Sequence, residues 1–92
     1  MELKDTMDLM NSEDFKERFV AEYYQTKIRY EKLKAFNTKI EASHYNGCKV
    51  VEMPKHDCPE ELLREQQSIM GQYLHILETR AVIEGIDLKA TD

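Results

Sequence analysis

Two long stretches of the chain repeat apolar residues every three or four positions, which is the spacing of one helix face. The first stretch follows Ser12, where Glu13 and Asp14 place acids in the first turn of a helix, and it runs to about Ala42. The pattern predicts a helix over residues 12–42. Its apolar and aromatic positions include Phe15, Phe19, Val20, Tyr23, Tyr24, Ile28, Tyr30, Leu33, Phe36 and Ile40.

The second stretch predicts a helix over residues 58–85, with signals at both ends. Asp57 stands three residues before a glutamate, which is the spacing of a capping box, and Pro59 suits a first turn because its missing N–H has no helical partner there. Gly85 suits the position after the last turn, and Ile86 is placed for the hydrophobic contact that often accompanies such a glycine. The core-facing residues of this helix are predicted to be Met70, Leu74, Leu77 and Ala81.

The remaining segments are short. Residues 1–11 carry one apolar edge, formed by Leu3, Met7 and Met10, which predicts a helical arm. Residues 43–57 form the connecting loop, because an Asn-Gly turn and a proline interrupt the helical pattern. Residues 86–92 follow the second helix as a frayed tail.

This order of elements predicts a single all-α domain built as an antiparallel helical hairpin with a short N-terminal helix. The apolar stripes of both long helices are wider than one partner helix covers, and helix layers usually need more than two members to close a core. We therefore expect copies of the chain to associate as a homo-oligomer. A dimeric four-helix bundle is the smallest such unit, and a larger ring or cage is the alternative.

Composition narrows the range of partners. The net charge is −5, which argues against general affinity for a nucleic acid polymer or an anionic membrane surface. No apolar run approaches the ~18 residues of a membrane span, and the N-terminus lacks the pattern of a signal peptide. Two cysteines without a secretion signal are typical of free thiols in a reducing compartment. We expect a cytoplasmic protein.

The loop contains a set of residues that zinc can bind, namely His44, Cys48, His56 and Cys58. Their spacing, H-x3-C-x7-H-x-C, matches no established zinc finger or ribbon, so a polar loop without metal is the preferred interpretation. The chain also has no nucleophile motif and no glycine-rich phosphate loop. We predict no bound metal, no cofactor, no catalytic residues and no enzymatic activity.

One face of the first helix combines aromatic and basic side chains. Tyr23, Lys27, Tyr30 and Lys34 recur there at helical spacing, and together they could stack a base and neutralise phosphates. The alternative is a solvated lysine face beside an aromatic core stripe.

Tyr73 and Arg80 lie seven residues apart on one face of the second helix, where they could face a partner helix or a bound anion. The alternative for Arg80 is an exposed pair with Glu84, four residues on. Gly71 stands inside the same helix, where a missing side chain lets a neighbouring backbone or a flat ligand approach closely, and a crossing point between helices is the more ordinary explanation.

Two tracts carry a family resemblance: "FKERFVAEYYQTKIRYEKL" and "CPEELLREQQSIMGQYLHILETRAVIEGIDL". They resemble a family of short phage and prophage proteins related to a small protein of crAss-like phages. In its broad plan the chain is also similar to the anti-CBASS sponges, small helical oligomers that bind cyclic nucleotide immune signals between subunits. The resemblance implies a non-enzymatic phage protein that counters host defence in the host cytoplasm.

Three functional hypotheses follow from the resemblance and the residue patterns. In the first, the protein sequesters a cyclic nucleotide immune signal, with Tyr23, Lys27, Tyr30, Tyr73 and Arg80 as the ligand-binding residues. In the second, it inhibits a host defence protein by direct protein–protein interaction. The third is a structural or regulatory role in the phage cycle.

Overall fold

The computed structural model describes residues 1–45 and 52–88, and the elements within them are helical. A 3-10 turn, Leu3–Asp5, leads into the short helix α1, Thr6–Met10. Two long helices follow, α2 over Phe15–Ser43 and α3 over Glu60–Glu84. No strand occurs in these two ranges, so the predicted all-α class is confirmed.

The two long helices pack side by side in antiparallel directions, as predicted. Near the end of α2, the side-chain amide of Asn37 donates to the Leu63 carbonyl at 3.1 Å and to Gln67 Oε1 at 2.9 Å. Closer to its start, the Tyr23 hydroxyl donates to Glu78 Oε2 at 2.7 Å. A late residue of α2 thus pairs with early residues of α3, and an early residue of α2 pairs with a late one, as an antiparallel arrangement requires. The molecule is elongated, with extents of 51 × 25 × 22 Å.

The long helices begin later than their sequence signals predict. α2 starts behind Asp14, whose side chain accepts a hydrogen bond from the Lys16 N–H at 2.9 Å. Ser12, the predicted start, instead accepts from the Asp14 N–H at 3.0 Å, so its side chain stabilises a local turn just before α2. The predicted capping box at Asp57 is wrong, because α3 begins behind Pro59 and no side chain caps it.

The C-terminal end of α3 matches its prediction. Gly85 adopts a left-handed conformation with φ of 69°, which favours glycine because it has no Cβ. The Ile86 N–H then donates to the Ala81 carbonyl at 2.8 Å, and the Ile86 side chain is buried in the core.

The main hydrophobic core lies where the start of α2 meets the end of α3. Of the predicted inner residues of α3, Leu74, Leu77 and Ala81 are buried, whereas Met70 is only partly buried. Met70 lines an open groove instead, together with Leu62 and other residues of α3. The buried cluster consists of Phe19, Val20, Tyr23, Leu74, Leu77, Ala81 and Ile86.

The N-terminal arm is helical, as predicted, but it is anchored by a different residue from those of the predicted apolar edge. Thr6 is fully buried; its hydroxyl donates to the Leu3 carbonyl at 2.7 Å and accepts from Gln25 of α2 at 2.9 Å. Met7 and Met10 remain 61% and 48% exposed. The arm therefore packs through a short side chain whose polar group is satisfied, and through Leu9, which lies against the hydrophobic core.

Across the part of the chain that the structure describes, neither long helix is long and apolar enough to cross a lipid bilayer.

Candidate functional site

Tyr23 and Lys27, the first two of the predicted ligand residues, lie next to each other on α2. The Tyr23 ring is 5% exposed and packs edge-on against Tyr24, with ring centroids 5.2 Å apart. Lys27 Nζ lies 5.8 Å from the centroid of the Tyr23 ring and 5.9 Å from that of Tyr24, within the range of cation–π attraction. The lysine is exposed, so this arrangement presents a positive charge to solvent above two aromatic rings.

The hydroxyl of Tyr23 is already occupied within the fold. It donates to Glu78 of α3 at 2.7 Å. Burial raises the pKa of Tyr23 above its ordinary value, and the adjacent Glu78 carboxylate raises it further because a phenolate there would face a like charge. Tyr23 therefore remains a neutral hydrogen-bond donor that joins the two long helices.

Tyr30 covers Gly71. A Cβ atom built on Gly71 would lie 3.3 Å from Tyr30 Cε1 and 3.5 Å from the Tyr30 hydroxyl oxygen. A group of α2 does approach Gly71 closely, but it is an aromatic side chain and not the backbone that was predicted. Tyr30 thus contributes to the packing of the hairpin.

Tyr73 lies on the outer surface of α3, where it is 39% exposed. Partial burial raises its pKa, and a hydrogen bond to the Glu22 carboxylate of α2 raises it further, while nearby Arg80 acts in the opposite direction. Tyr73 and Arg80 are therefore neighbours, as their spacing predicts, and Glu22 adds a carboxylate beside them.

Arg80 is held from two sides. Its Nε donates to Glu84 Oε2 at 2.9 Å, which confirms the predicted intrahelical pair, and its guanidinium carbon lies 5.0 Å from the centroid of the Phe19 ring. The side chain is nevertheless 46% exposed. A guanidinium carries five N–H donors, and the Nε contact with Glu84 uses one of them. The contacts fix the orientation of a cation that still faces solvent.

The structure brings the predicted ligand residues together only in pairs. Lys27 lies over the buried Tyr23 ring and lines an open groove that contains none of the other four predicted residues. Tyr73 and Arg80 form the second pair, on the side of α3 that borders α2. Tyr30 packs against Gly71 and belongs to neither pair.

Two larger clefts contain none of the five predicted ligand residues, although the first includes Lys34 of the aromatic and basic face predicted on α2. One, of about 640 Å³, lies between the end of α2 and the start of α3 and includes Lys34 and Arg64. The other, of about 680 Å³, has three lysines around an aromatic ring: Lys32, Lys39 and Lys55 surround Phe36. Helical spacing could have grouped the α2 members of the second cleft, but only the fold brings Lys55 to them.

The candidate zinc ligands have other contacts. His44 Nε2 lies 2.8 Å from Glu60 Oε1, and His56 Nδ1 lies 2.9 Å from the Cys58 carbonyl oxygen. Cys48 lies outside the described residues. Among residues 1–45 and 52–88, no three His, Cys, Asp or Glu side chains are grouped closely enough to hold a metal ion.

Comparison with known proteins gives one family match. The model of a family described as Sequestin matches residues 13–83, which include all of α2 and all but the last residue of α3. No curated protein and no solved structure matches the chain.

Proposed function

Because this chain belongs to the Sequestin family, we propose that it is a sequestering protein, which holds a small ligand without transforming it. The family match over residues 13–83 is the observation that carries this proposal, since it covers the hairpin on which every candidate ligand residue stands.

The ligand that we propose is a cyclic nucleotide immune signal of a host cell. Arg80 supports this choice, because a guanidinium held in one orientation is a strong partner for phosphate oxygens. Tyr73 supplies a half-exposed ring on which a base can stack. Lys27 adds a positive charge above the Tyr23 ring, and Tyr30 of the same helix packs against the hydrophobic core.

The setting that we propose is a phage-encoded protein that acts in the host cytoplasm against a nucleotide-dependent defence. The resemblance of the two helical tracts to short phage proteins supports this setting. A homo-oligomer is part of the proposal, because the groove that Lys27 lines in a single chain does not include Tyr73 or Arg80.

The experiment is a calorimetric titration with cyclic dinucleotides, cyclic trinucleotides and cyclic ADP-ribose variants, each followed by chromatography of the released ligand. A ligand at 100 times its dissociation constant should add about 2.7 kcal/mol to the stability of the protein, which a thermal-shift assay detects. The released ligand should be chemically unchanged. A chemically altered product would contradict sequestration.

Arg80→Gln is the first variant to titrate, with Arg64→Gln as its matched control. Both arginines are exposed on α3 and face a glutamate four residues away. Because a hydrogen bond to a charged group contributes about 1.5–3 kcal/mol, Arg80→Gln should weaken binding by about tenfold to a hundredfold. Loss of binding in Arg64→Gln alone would move the site to the cleft that Arg64 lines.

Failure of every nucleotide to bind would overturn the sequestration of such signals. The direct inhibition of a host protein would then be the hypothesis to pursue, and a stoichiometric complex with a purified defence protein would be its test.

A further inference from the structure

One face of α3, beside its contact with α2, carries a continuous row of side chains whose apolar members are exposed. The row follows alternating steps of four and three residues, which is the spacing of a coiled-coil seam. At 1.5 Å per residue it is about 32 Å long. We call it the α3 stripe, and its members are Leu62, Gln66, Ile69, Tyr73, Ile76, Arg80 and Ile83.

The exposure of this stripe is unusual for its composition. Leu62, Ile69 and Ile76 are between 54% and 56% exposed, and Ile83 is 78% exposed. Single exposed apolar residues are ordinary on protein surfaces, but apolar residues aligned along one helix face mark an interaction surface. The inner face of α3 already packs against α2 through Leu77 and its neighbours. The stripe is a second seam that borders this contact, because Tyr73 and Arg80 also touch α2.

We propose that a second copy of this chain docks on the α3 stripe, with the two α3 helices antiparallel. The proposal rests on the proposed function only for the ligand-binding role of Tyr73 and Arg80. The docking itself follows from the stripe.

The stripe has a property that fits a two-fold interface. From either end its side chains read apolar, polar, apolar, tyrosine, apolar, polar, apolar. A two-fold interface uses the same patch on both subunits, so the patch must be complementary to its own reverse. Antiparallel pairing centred near Tyr73 brings Leu62 towards the second copy's Ile83, and Ile69 towards its Ile76.

Charge selects the antiparallel orientation over the parallel one. In a parallel pair at equal register, Arg80 would face the second copy's Arg80, and like charges across a seam repel. In the antiparallel pair it faces the half of the stripe that contains Gln66 and the adjacent Glu65. That half has an open groove of about 370 Å³, in which apolar side chains and the Glu65 carboxylate could receive Arg80. The groove is lined by Leu62, Glu65, Gln66, Ile69 and Met70.

This arrangement also affects the candidate ligand site. Both copies of Tyr73 meet near the two-fold axis, and each Arg80 lies on the surface of the opposite α3. A ligand bound at the stripe therefore contacts both copies, and the dimer supplies the enclosing surface that one chain lacks.

The first test measures the oligomeric state without ligand, by sedimentation velocity. The wild type should be a dimer, and Ile69→Glu and Ile76→Glu should each be monomers, because the charge enters an apolar seam. Val82→Glu is the matched control: Val82 is 84% exposed on the same helix but lies off the stripe, so this variant should remain a dimer. Circular dichroism on each variant verifies that the hairpin is folded.

A monomeric wild type overturns the proposal, as does a folded Ile76→Glu variant that is still dimeric. A folded monomer whose stripe binds a different protein overturns it as well, since the occupant is then not a second copy.

The second test determines orientation by disulfide crosslinking in a chain with Cys48→Ser and Cys58→Ser. A mixture of Leu62→Cys and Ile83→Cys chains should form the mixed crosslink, because the Cβ atoms must approach to about 4 Å. Leu62→Cys chains that crosslink efficiently to each other would indicate a parallel pair and overturn the antiparallel arrangement.

The two proposals fail in different experiments. A dimer that binds none of the nucleotides contradicts the proposed function and leaves the α3 interface standing. A monomer that binds a nucleotide contradicts the interface and leaves sequestration standing.

Discussion

At the scale of single residues, Tyr23 shows how one hydroxyl group joins two helices. Its ring belongs to the buried cluster, while its oxygen reaches Glu78 of α3. A phenylalanine would fill similar space but leave the carboxylate without this donor. The same burial that makes the contact effective also raises the pKa of Tyr23, since an ionised phenol there would lose hydration and face Glu78.

We therefore predict an alkaline loss of stability that depends on Tyr23. Because the pKa in the folded state lies above the unfolded value of about 10, the stabilisation is fully present below pH 10 and is lost as the pH rises through the folded-state pKa. Urea midpoints measured from pH 7 to above pH 10 should fall less steeply for Tyr23→Phe than for the wild type.

The same substitution should reduce the stability at pH 7 by about 1 kcal/mol, the usual net contribution of a hydrogen bond. Tyr45→Phe is the control, because Tyr45 is 67% exposed. Identical pH profiles for the wild type and Tyr23→Phe would contradict the prediction.

At the scale of elements, hydrophobic periodicity was sufficient to predict both long helices and the left-handed glycine after α3. The first residue of α2 was harder to predict, because Ser12 and Asp14 are both good capping residues. Only the backbone geometry shows that Asp14 is the cap. Glu60 illustrates the same limit: its spacing fits a capping box, but its carboxylate contacts His44, which is sixteen residues away.

The candidate site was predictable only within each helix. The spacing of Tyr73 and Arg80 correctly made them neighbours on α3. Their contacts with Glu22 and Phe19 depend on how α2 and α3 are aligned, and periodicity along one helix contains no information about that alignment.

The contact between Gly71 and Tyr30 gives a prediction about helix packing. A glycine inside a helix usually costs about 1 kcal/mol relative to alanine, so Gly71→Ala would stabilise a helix with open space there. Here the new Cβ would lie 3.3 Å from Tyr30 Cε1, so the ring must move. We expect Gly71→Ala to increase the free energy of unfolding by much less than about 1 kcal/mol in the wild type. In a Tyr30→Ala background the increase should be close to the full amount.

Urea denaturation of the four chains in this double-mutant cycle provides the measurement, because the coupling free energy isolates the contact. An equal gain in both backgrounds would show that the ring does not restrict Gly71.

At the scale of the whole molecule, α2 is the element that connects the others. The N-terminal arm and α3 both pack on α2, and Leu9 of the arm reaches the hydrophobic core that the two long helices share. The arm also lies outside the residues that match the family. The arm is therefore a layer added to the hairpin, held mainly by α2.

This layering predicts unequal opening of the two layers in hydrogen exchange. Amides of residues 6–10 should exchange through local opening, at a lower free energy than amides in the buried parts of α2 and α3. Thr6→Val should accelerate exchange in the arm, because it removes the hydroxyl that contacts Leu3 and Gln25, and should leave Leu77 protected. Equal protection of the arm and the hairpin would contradict this description.

The polar contacts of Asn37 have a consequence for how this sequence can vary. Sliding α3 by one turn would take the Leu63 carbonyl and Gln67 away from the Asn37 amide and leave a buried polar group without partners. The contacts between α2 and α3 thus fix how the two helices are aligned, and the segment that joins them does not have to do so. Because the free energy of closing a connection grows only slowly with its length, insertions between α2 and α3 should cost the hairpin little stability.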